Sequence, residues 1–351
     1  MAIRLGILGC GWVVQKGYLP HLTRRQNLFR VTAVCDPDAG QMDRVCNEAG
    51  GIRKCADVNE LLVASEAVLI ASPNRFHLQH TRAAMAQGCH ALVEKPAFLS
   101  AGHVHAVESD WKNTRSCYMP AAVCRYRRDV AILADFCRQI GPVQRLELTW
   151  RRRSGVPGRA WHLEPADGWT GVLSDLGFHL IDLISFIVPD LSDGLHVPID
   201  VIDVEMRRGG AIRTGDWYAG NAAQINCKVP FSVKANLTLG FVPVTLHVSW
   251  MDDLPGDLTR IKAFGPLGMA ELEGVFGYSP DRAVPQQRVA LWDPQRSAVR
   301  QQVDLPIGPG LHQSAFGGVL NGFYDAIHQQ TTPNFREFNF TARLFSSIVE
   351  A

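Results

Sequence analysis

Ile3-Arg4-Leu5-Gly6-Ile7-Leu8-Gly9-Cys10-Gly11-Trp12-Val13-Val14 decides how the rest of the chain is read. Ile3–Leu8 reads as a first core strand, and the glycines that follow mark a tight turn into a helix. Glycine at 9 and 11 lets backbone N–H groups of Gly9, Gly11, Trp12 and Val13 approach a pyrophosphate at the helix N-terminus. Val14 stands where the full fingerprint has Gly or Ala. An ordinary strand–helix turn can also carry G-x-G; the strand-turn-helix context favours a nucleotide.

Three further strand ends fit the same reading. Val31-Thr32-Ala33-Val34-Cys35-Asp36 puts a carboxylate just past a second strand. There it can accept hydrogen bonds from a ribose and repel a 2′-phosphate, which favours NAD over NADP. Asp36 could instead cap the helix beginning near Ala39, a task Asp38 fills equally well. Ser72-Pro73-Asn74, with His77 beyond, offers short polar groups at a third strand end, and helix capping explains Ser72 or Asn74 as well. His77 itself is expected to face solvent. Ala91-Leu92-Val93-Glu94-Lys95-Pro96 ends a buried strand in two charges and a proline, presenting Lys95 at that edge. A solvated Glu-Lys turn is the plainer alternative.

Alternating strands and helices to about residue 120 imply a doubly wound parallel sheet, an N-terminal Rossmann domain over 1–120. Strands are expected at Ile3-Leu8, Phe29-Cys35, Ala67-Ala71, Ala91-Val93 and Ser116-Met119. Helices are expected at Tyr18 to Gln26, Ala39 to Ala49, Phe76 to Gln87 and Ala101 to Asn113. From 121 to 351 the pattern implies an α/β domain on an open, mostly antiparallel sheet, with strands at 143–151, 198–207, 221–228, 232–240, 243–250, 258–264, 268–273, 286–292 and 298–304. Helices there are expected at Arg128-Ile140, Leu173-Ile187 and His312 to Gln329.

A chain of 351 residues with 46% hydrophobic and 20% charged content describes an ordinary globular protein of two domains. A net charge of +1 gives no electrostatic case for nucleic acid or a membrane surface. No apolar run spans a bilayer and no leader pattern opens the chain, so the expected compartment is the cytoplasm. The 9 cysteines form no C-x-x-C pair and suggest neither metal site nor disulfide framework; most should be buried thiols.

Gly9-Cys10-Gly11, Asp36, Ser72-Pro73-Asn74 with His77, Glu94-Lys95-Pro96 and Asp175-Leu176-Gly177-Phe178-His179-Leu180-Ile181-Asp182 run in one order. In that order they resemble the Gfo/Idh/MocA family of NAD(P)-dependent oxidoreductases. Asp175, His179 and Asp182 fall at i, i+4 and i+7, one face of a helix. On residues alone that helix could be core-adjacent with a satisfied histidine. The resemblance implies a catalytic set of Lys95, Asp175 and His179. It also implies Gly9, Gly11, Trp12, Val13, Asp36, Ser72, Pro73, Asn74, His77, Glu94 and Lys95 around the cofactor, with no metal.

Hydride transfer from an alcohol requires loss of a hydroxyl proton, which suits His179 as general acid/base. Lys95 would stabilise the reacting oxygen, and Asp175 would bind a neighbouring hydroxyl; proton transfer by Lys95 itself is the alternative. Arg125-Tyr126 resembles a substrate-lining element in some relatives. Trp169, at a position where the family often carries glycine, would narrow the substrate pocket or simply pack. Arg151-Arg152-Arg153 reads as a solvated strand end, and Trp161-His162 as a loop.

The resemblance implies interconversion of a secondary alcohol and a ketone on a sugar, cyclitol or related polyhydroxylated compound. Some relatives instead hydrolyse glycosides with bound NAD, and some are non-catalytic NAD-dependent regulators. A homodimer or homotetramer through the C-terminal sheet is expected, because an uncovered apolar face would need burial.

Overall fold

The computed structural model describes residues 1–351 except 115, 154, 156–162, 164, 166–169, 194–196, 210 and 214–223. Two compact units emerge, Met1–Val123 with Ala315–Asn339, and Cys124–Ser314 with Phe340–Ala351. The first unit thus draws in residues 315–339 from the far part of the chain.

The first unit is a six-stranded sheet of β1 (Ile3–Leu8), β2 (Phe29–Cys35), β3 (Arg53–Lys54), β4 (Ala67–Ile70), β5 (His90–Val93) and β6 (Tyr118–Pro120). Its order is β3-β2-β1-β4-β5-β6, and every pairing is parallel. Strands covered on both faces carry unbroken apolar runs, and β4, Ala-Val-Leu-Ile, is buried at every position. Strand order reverses between β1 and β4, the switch point at which such sheets open a crevice. Phe323, on the helix Pro309–Gln329, stacks on Phe29 of β2 at 5.8 Å.

The glycine turn leads into a π-helical turn, Val14–Tyr18, and then an α-helix, Leu19–Leu22. The helix read over Tyr18 to Gln26 therefore begins and ends earlier. Val14 is fully buried in it. The two-residue β3, the helix Val58–Val63 and the last helix, Phe335–Glu350, go beyond the sequence reading. The first two are too short for periodicity to register.

The second unit is built on β7 (Arg145–Arg151), β8 (Ile199–Arg208), β11 (Pro230–Leu239), β12 (Val242–Ser249), β13 (Leu258–Gly265), β14 (Gly268–Gly274), β15 (Gln287–Trp292) and β16 (Val299–Leu305). These form one sheet ordered β16-β15-β14-β13-β7-β12-β11-β8, while β9 (Ala211–Arg213) and β10 (Gln224–Asn226) pair separately. The strand read over 221–228 is thus, where described, part of the small hairpin. Only β7 with β12 is parallel within the large sheet. The helix Arg128–Cys137 packs on β14 and β15, and Phe178–Ile187 on β7.

The sheet's other face differs from expectation. Its half-exposed positions include Glu147 and Thr149 on β7, Thr245 and His247 on β12, Arg260 on β13 and Glu273 on β14. The face is polar, not apolar, so the hydrophobic argument for covering it fails. Period-2 alternation was the signal, since buried Leu146, Leu148 and Trp150 interleave with these polar residues. No helix among the described residues is long and apolar enough to cross a membrane. The nine cysteines are free thiols, eight of them buried.

Candidate active site

Four strands of the first sheet end level. Leu8 is in register with Cys35 on one side and Ile70 on the other, and Ile70 with Val93. The next residues along, Gly9, Asp36, Ala71-Ser72 and Glu94-Lys95, therefore line one edge at the switch point.

Gly9 has φ +92°, and a Cβ there would stand 2.6 Å from the backbone of Ala71. Only glycine fits both constraints. The Asp36 carboxylate accepts from Cys10 N at 2.7 Å and Asp38 N at 2.8 Å. Asp38, accepting from Gln41 N at 3.2 Å, is the cap of the helix Ala39–Ala49. That settles the choice between the two aspartates, and Asp36 instead ties the second strand end to the glycine turn.

At the third strand end neither Ser72 nor Asn74 caps a helix. The short 3₁₀ helix Asn74–Phe76 has no side-chain cap, and the Ser72 hydroxyl hydrogen-bonds His80 Nδ1 at 2.9 Å. His77 is buried, contrary to the solvent-facing expectation. Its Nδ1 lies 2.8 Å from the Pro96 carbonyl and its Nε2 2.7 Å from the Ser72 carbonyl. The ring bridges the third and fourth strand ends, and burial pushes its pKa down to about 4 against those two bonds. Asn74 Nδ2 is buried without a hydrogen-bond partner. A buried amide without a partner among the described residues, on the same sheet edge as a glycine turn with no room for a Cβ, fits a bound dinucleotide, which offers acceptors there.

Glu94 is buried and receives two hydrogen bonds, from the Tyr18 hydroxyl at 2.7 Å and from Lys95 N at 3.0 Å. Burial raises its pKa, opposed by the Tyr18 bond and the Lys95 charge. Glu94 thereby holds the backbone of Lys95 in place. Tyr18 as the partner went unread because nothing in the spacing links residue 18 to residue 94.

In the second unit, Gly171 has φ +56° with a would-be Cβ 2.2 Å from the Pro230 carbonyl, so the entry to the next helix also requires glycine. That helix opens with a π-helical turn, Leu173–Gly177, and continues as Phe178–Ile187. Asp175 lies on the widened turn, and His179 and Asp182 on the regular helix, so the simple helical wheel is broken at Asp175. Such turns recur at functional sites.

Asp175 Oδ2 accepts from Trp250 Nε1 at 2.9 Å and lies 3.9 Å from Arg152 Nη1. Arg152 is buried rather than solvated, while Arg153 stays exposed and Arg151 bonds Asp252 at 2.5 Å. The Trp150 ring centroid is 5.7 Å from that of His179, and the Arg152 guanidinium is 5.9 Å from the Trp150 ring. Asp175 and His179 thus share one aromatic and cationic setting at the ends of β7 and β12.

Asp182 is paired with Arg125, whose Nε and Nη2 reach its two carboxylate oxygens at 2.7 and 2.6 Å. The guanidinium assigned to substrate is therefore engaged in a fork-like pair on the helix Phe178–Ile187. Tyr126 beside it is exposed. Trp169, Trp161 and His162 lie outside the described residues. No group of three or more His, Cys, Asp or Glu side chains among the described residues could hold a metal ion.

Residues 3–119 match the GFO_IDH_MocA oxidoreductase family, an NAD-binding Rossmann fold. The putative UDP-kanosamine synthase oxidoreductase subunit of Amycolatopsis mediterranei is 27% identical over 293 residues, 80% of this chain and 78% of that protein. Among solved structures, the 3-ketoreductase KijD10 from Actinomadura kijaniata, in complex with NADP and TDP-benzene, has a TM-score of 0.77. It is 18% identical and covers 100% of this chain and 98% of its own. Levoglucosan dehydrogenase in complex with NADH and levoglucosan has a TM-score of 0.75 at 16% identity, covering 100% and 97%. At these identities the two structures speak to the fold.

Proposed function

We propose that the chain, whose residues 3–119 match the GFO_IDH_MocA oxidoreductase family, interconverts a secondary alcohol and a ketone on a sugar, cyclitol or related polyhydroxylated compound. The observation that carries this is Lys95, tied through Glu94 to the same sheet edge as the Gly9 turn. Bound NAD(P) would accept or return the hydride; the chain's own residues bind, orient and move the proton.

Gly9, Gly11, Trp12 and Val13 would receive the pyrophosphate, Asp36 the adenosine ribose, and Ser72, Pro73 and Asn74 the segment toward the nicotinamide. NAD is the favoured cofactor because Asp36 brings negative charge to the second strand end, where a 2′-phosphate would meet repulsion. A clear preference for NADP in KM would refute that. His179 exchanges the hydroxyl proton, Lys95 stabilises negative charge on the reacting oxygen, and Asp175 holds a neighbouring hydroxyl. Stopped-flow NADH absorbance with a sugar panel, including nucleotide-linked sugars, tests the reaction. His179→Ala and Lys95→Ala profiled against pH test the roles; unchanged rates in both reject the site. Release of free sugar from a glycoside without net NADH change would instead mark the hydrolytic reading.

Assembly as a homodimer or homotetramer through the large sheet remains part of the proposal. Its support is the alternation of charges on that face, such as Lys262 opposite Glu271 and Arg260 opposite Glu273, which suits self-complementary pairing. Monomer alone in light scattering would overturn it. The free thiols support a reducing compartment, the cytoplasm, and fractionation with the membrane or secreted material would refute that.

A further inference from the structure

Trp250 and Arg152 have no place in the chemistry described so far, yet both converge on one oxygen of Asp175. The indole Nε1 donates at 2.9 Å and the guanidinium stands 3.9 Å away. Their backbones are fastened together. They follow β12 and β7, the parallel pair in which Ser249 and Arg151 are register partners. Arg152 N donates to the Ser249 carbonyl at 2.8 Å, and Trp250 N to the Phe231 carbonyl at 2.8 Å. Trp250 is wholly buried and Arg152 nearly so.

An indole N–H can only donate, so this contact needs an acceptor, and a mostly buried carboxylate needs donors and a counter-charge. A core tryptophan held only by packing would need no carboxylate. We infer that Trp250 and Arg152 are positioning residues that fix the Asp175 carboxylate as the acceptor for a substrate hydroxyl. The inference rests on the dehydrogenase reading of the site. Fixing the carboxylate against strand ends matters because Asp175 sits on the π turn, where the helix's own ladder is widened.

Trp250→Phe keeps one aromatic ring at this buried site and removes the donor together with part of the indole's packing. It is expected to lower kcat/KM about tenfold, the usual scale for one hydrogen bond to a charged group, with the unfolding temperature within a few degrees of wild type. In an Asp175→Asn background the same change should cost nothing further. Activity-independent support comes from the indole ¹H–¹⁵N spectrum, where the resonance deleted by Trp250→Phe should move upfield in Asp175→Asn. Wild-type kinetics in Trp250→Phe, or losses that multiply in the double variant, overturn the inference. An indole resonance indifferent to Asp175→Asn overturns it whatever the kinetics. Should the wild type be inert toward every polyol while that resonance still responds, the dehydrogenase reading falls and the contact stands.

Discussion

Tyr18→Phe isolates the cost of holding Lys95. The substitution keeps the aromatic ring, edge-on to Phe316 at 4.9 Å, and deletes only the hydroxyl that donates to Glu94 at 2.7 Å. A hydrogen bond to a charged group contributes about 1.5–3 kcal/mol, a neutral one about 0.5–1.5 kcal/mol. At about 2–4 °C per kcal/mol, the unfolding temperature should fall by roughly 3–12 °C while Glu94 is ionised. Burial raises the folded pKa of Glu94 above its ordinary value of 4.5. Between those two values the native state binds a proton that the unfolded chain has released, so this group's contribution to stability declines as pH rises through that window. Below 4.5 the carboxyl is protonated in both states, and the loss in Tyr18→Phe should shrink to the neutral figure.

Thermal melts of wild type, Tyr18→Phe, Glu94→Gln and the double variant from pH 4 to 8 measure this. Glu94→Gln should flatten the pH dependence, and Tyr18→Phe should add less in that background than in wild type. A Glu94→Gln pH dependence identical to wild type, or a full additional loss from Tyr18→Phe in the Glu94→Gln background, refutes the reasoning.

Gly9→Ala should weaken NADH binding more than tenfold in a fluorescence titration. Its φ of +92° costs about 1–2 kcal/mol for an L-residue, before the clash with Ala71 is counted. Arg127→Met strips the partner from Asp129 in a fully buried pair with contacts of 3.0 and 2.6 Å. It should destabilise by about 3–5 kcal/mol in denaturant melts, and adding Asp129→Leu should restore much of that. Native protein at pH 7.5 should react with a thiol reagent at Cys46 alone, the one cysteine not buried. Burial raises the Cys10 thiol's pKa and pushes Cys117 and Cys137 up to about 12, so rapid labelling of several thiols would contradict the core.

Most of the fold was legible because it is written in short-range patterns. In the first sheet β4 and most of β5 are short apolar runs closed by turn residues, and in the second β7, β12 and β13 alternate with period two over much of their length. What escaped was non-local. Arg152 reads as solvent-facing within Arg151-Arg152-Arg153, and only the fold brings it to Asp175 and Trp250. The polarity of the open sheet face was present in Glu147, Thr149, Thr245 and His247, but assigning those positions to an outer face needs the register across strands. The π turns at Val14–Tyr18 and Leu173–Gly177 left no periodic trace, since each adds one residue to a helix otherwise regular.

Charge within a motif does not by itself mark chemistry, and here the partners separate the two uses. Glu94 is consumed by Tyr18 and the backbone of Lys95; Asp182 by Arg125; His77 by two carbonyls. Each of these joins one segment to another, so the motif spacing records how the strand ends and the helix are held. Asp36 likewise accepts two backbone N–H groups and ties the second strand end to the glycine turn. Lys95, Asp175 and His179 differ in that the surrounding contacts serve them: the Lys95 N–H is anchored by Glu94, and the ring of His179 lies beside Trp150. A group whose neighbours are arranged to hold it is a better candidate for reaction than one spent on holding others. That asymmetry sets Lys95, Asp175 and His179 apart from equally charged neighbours in the same motifs.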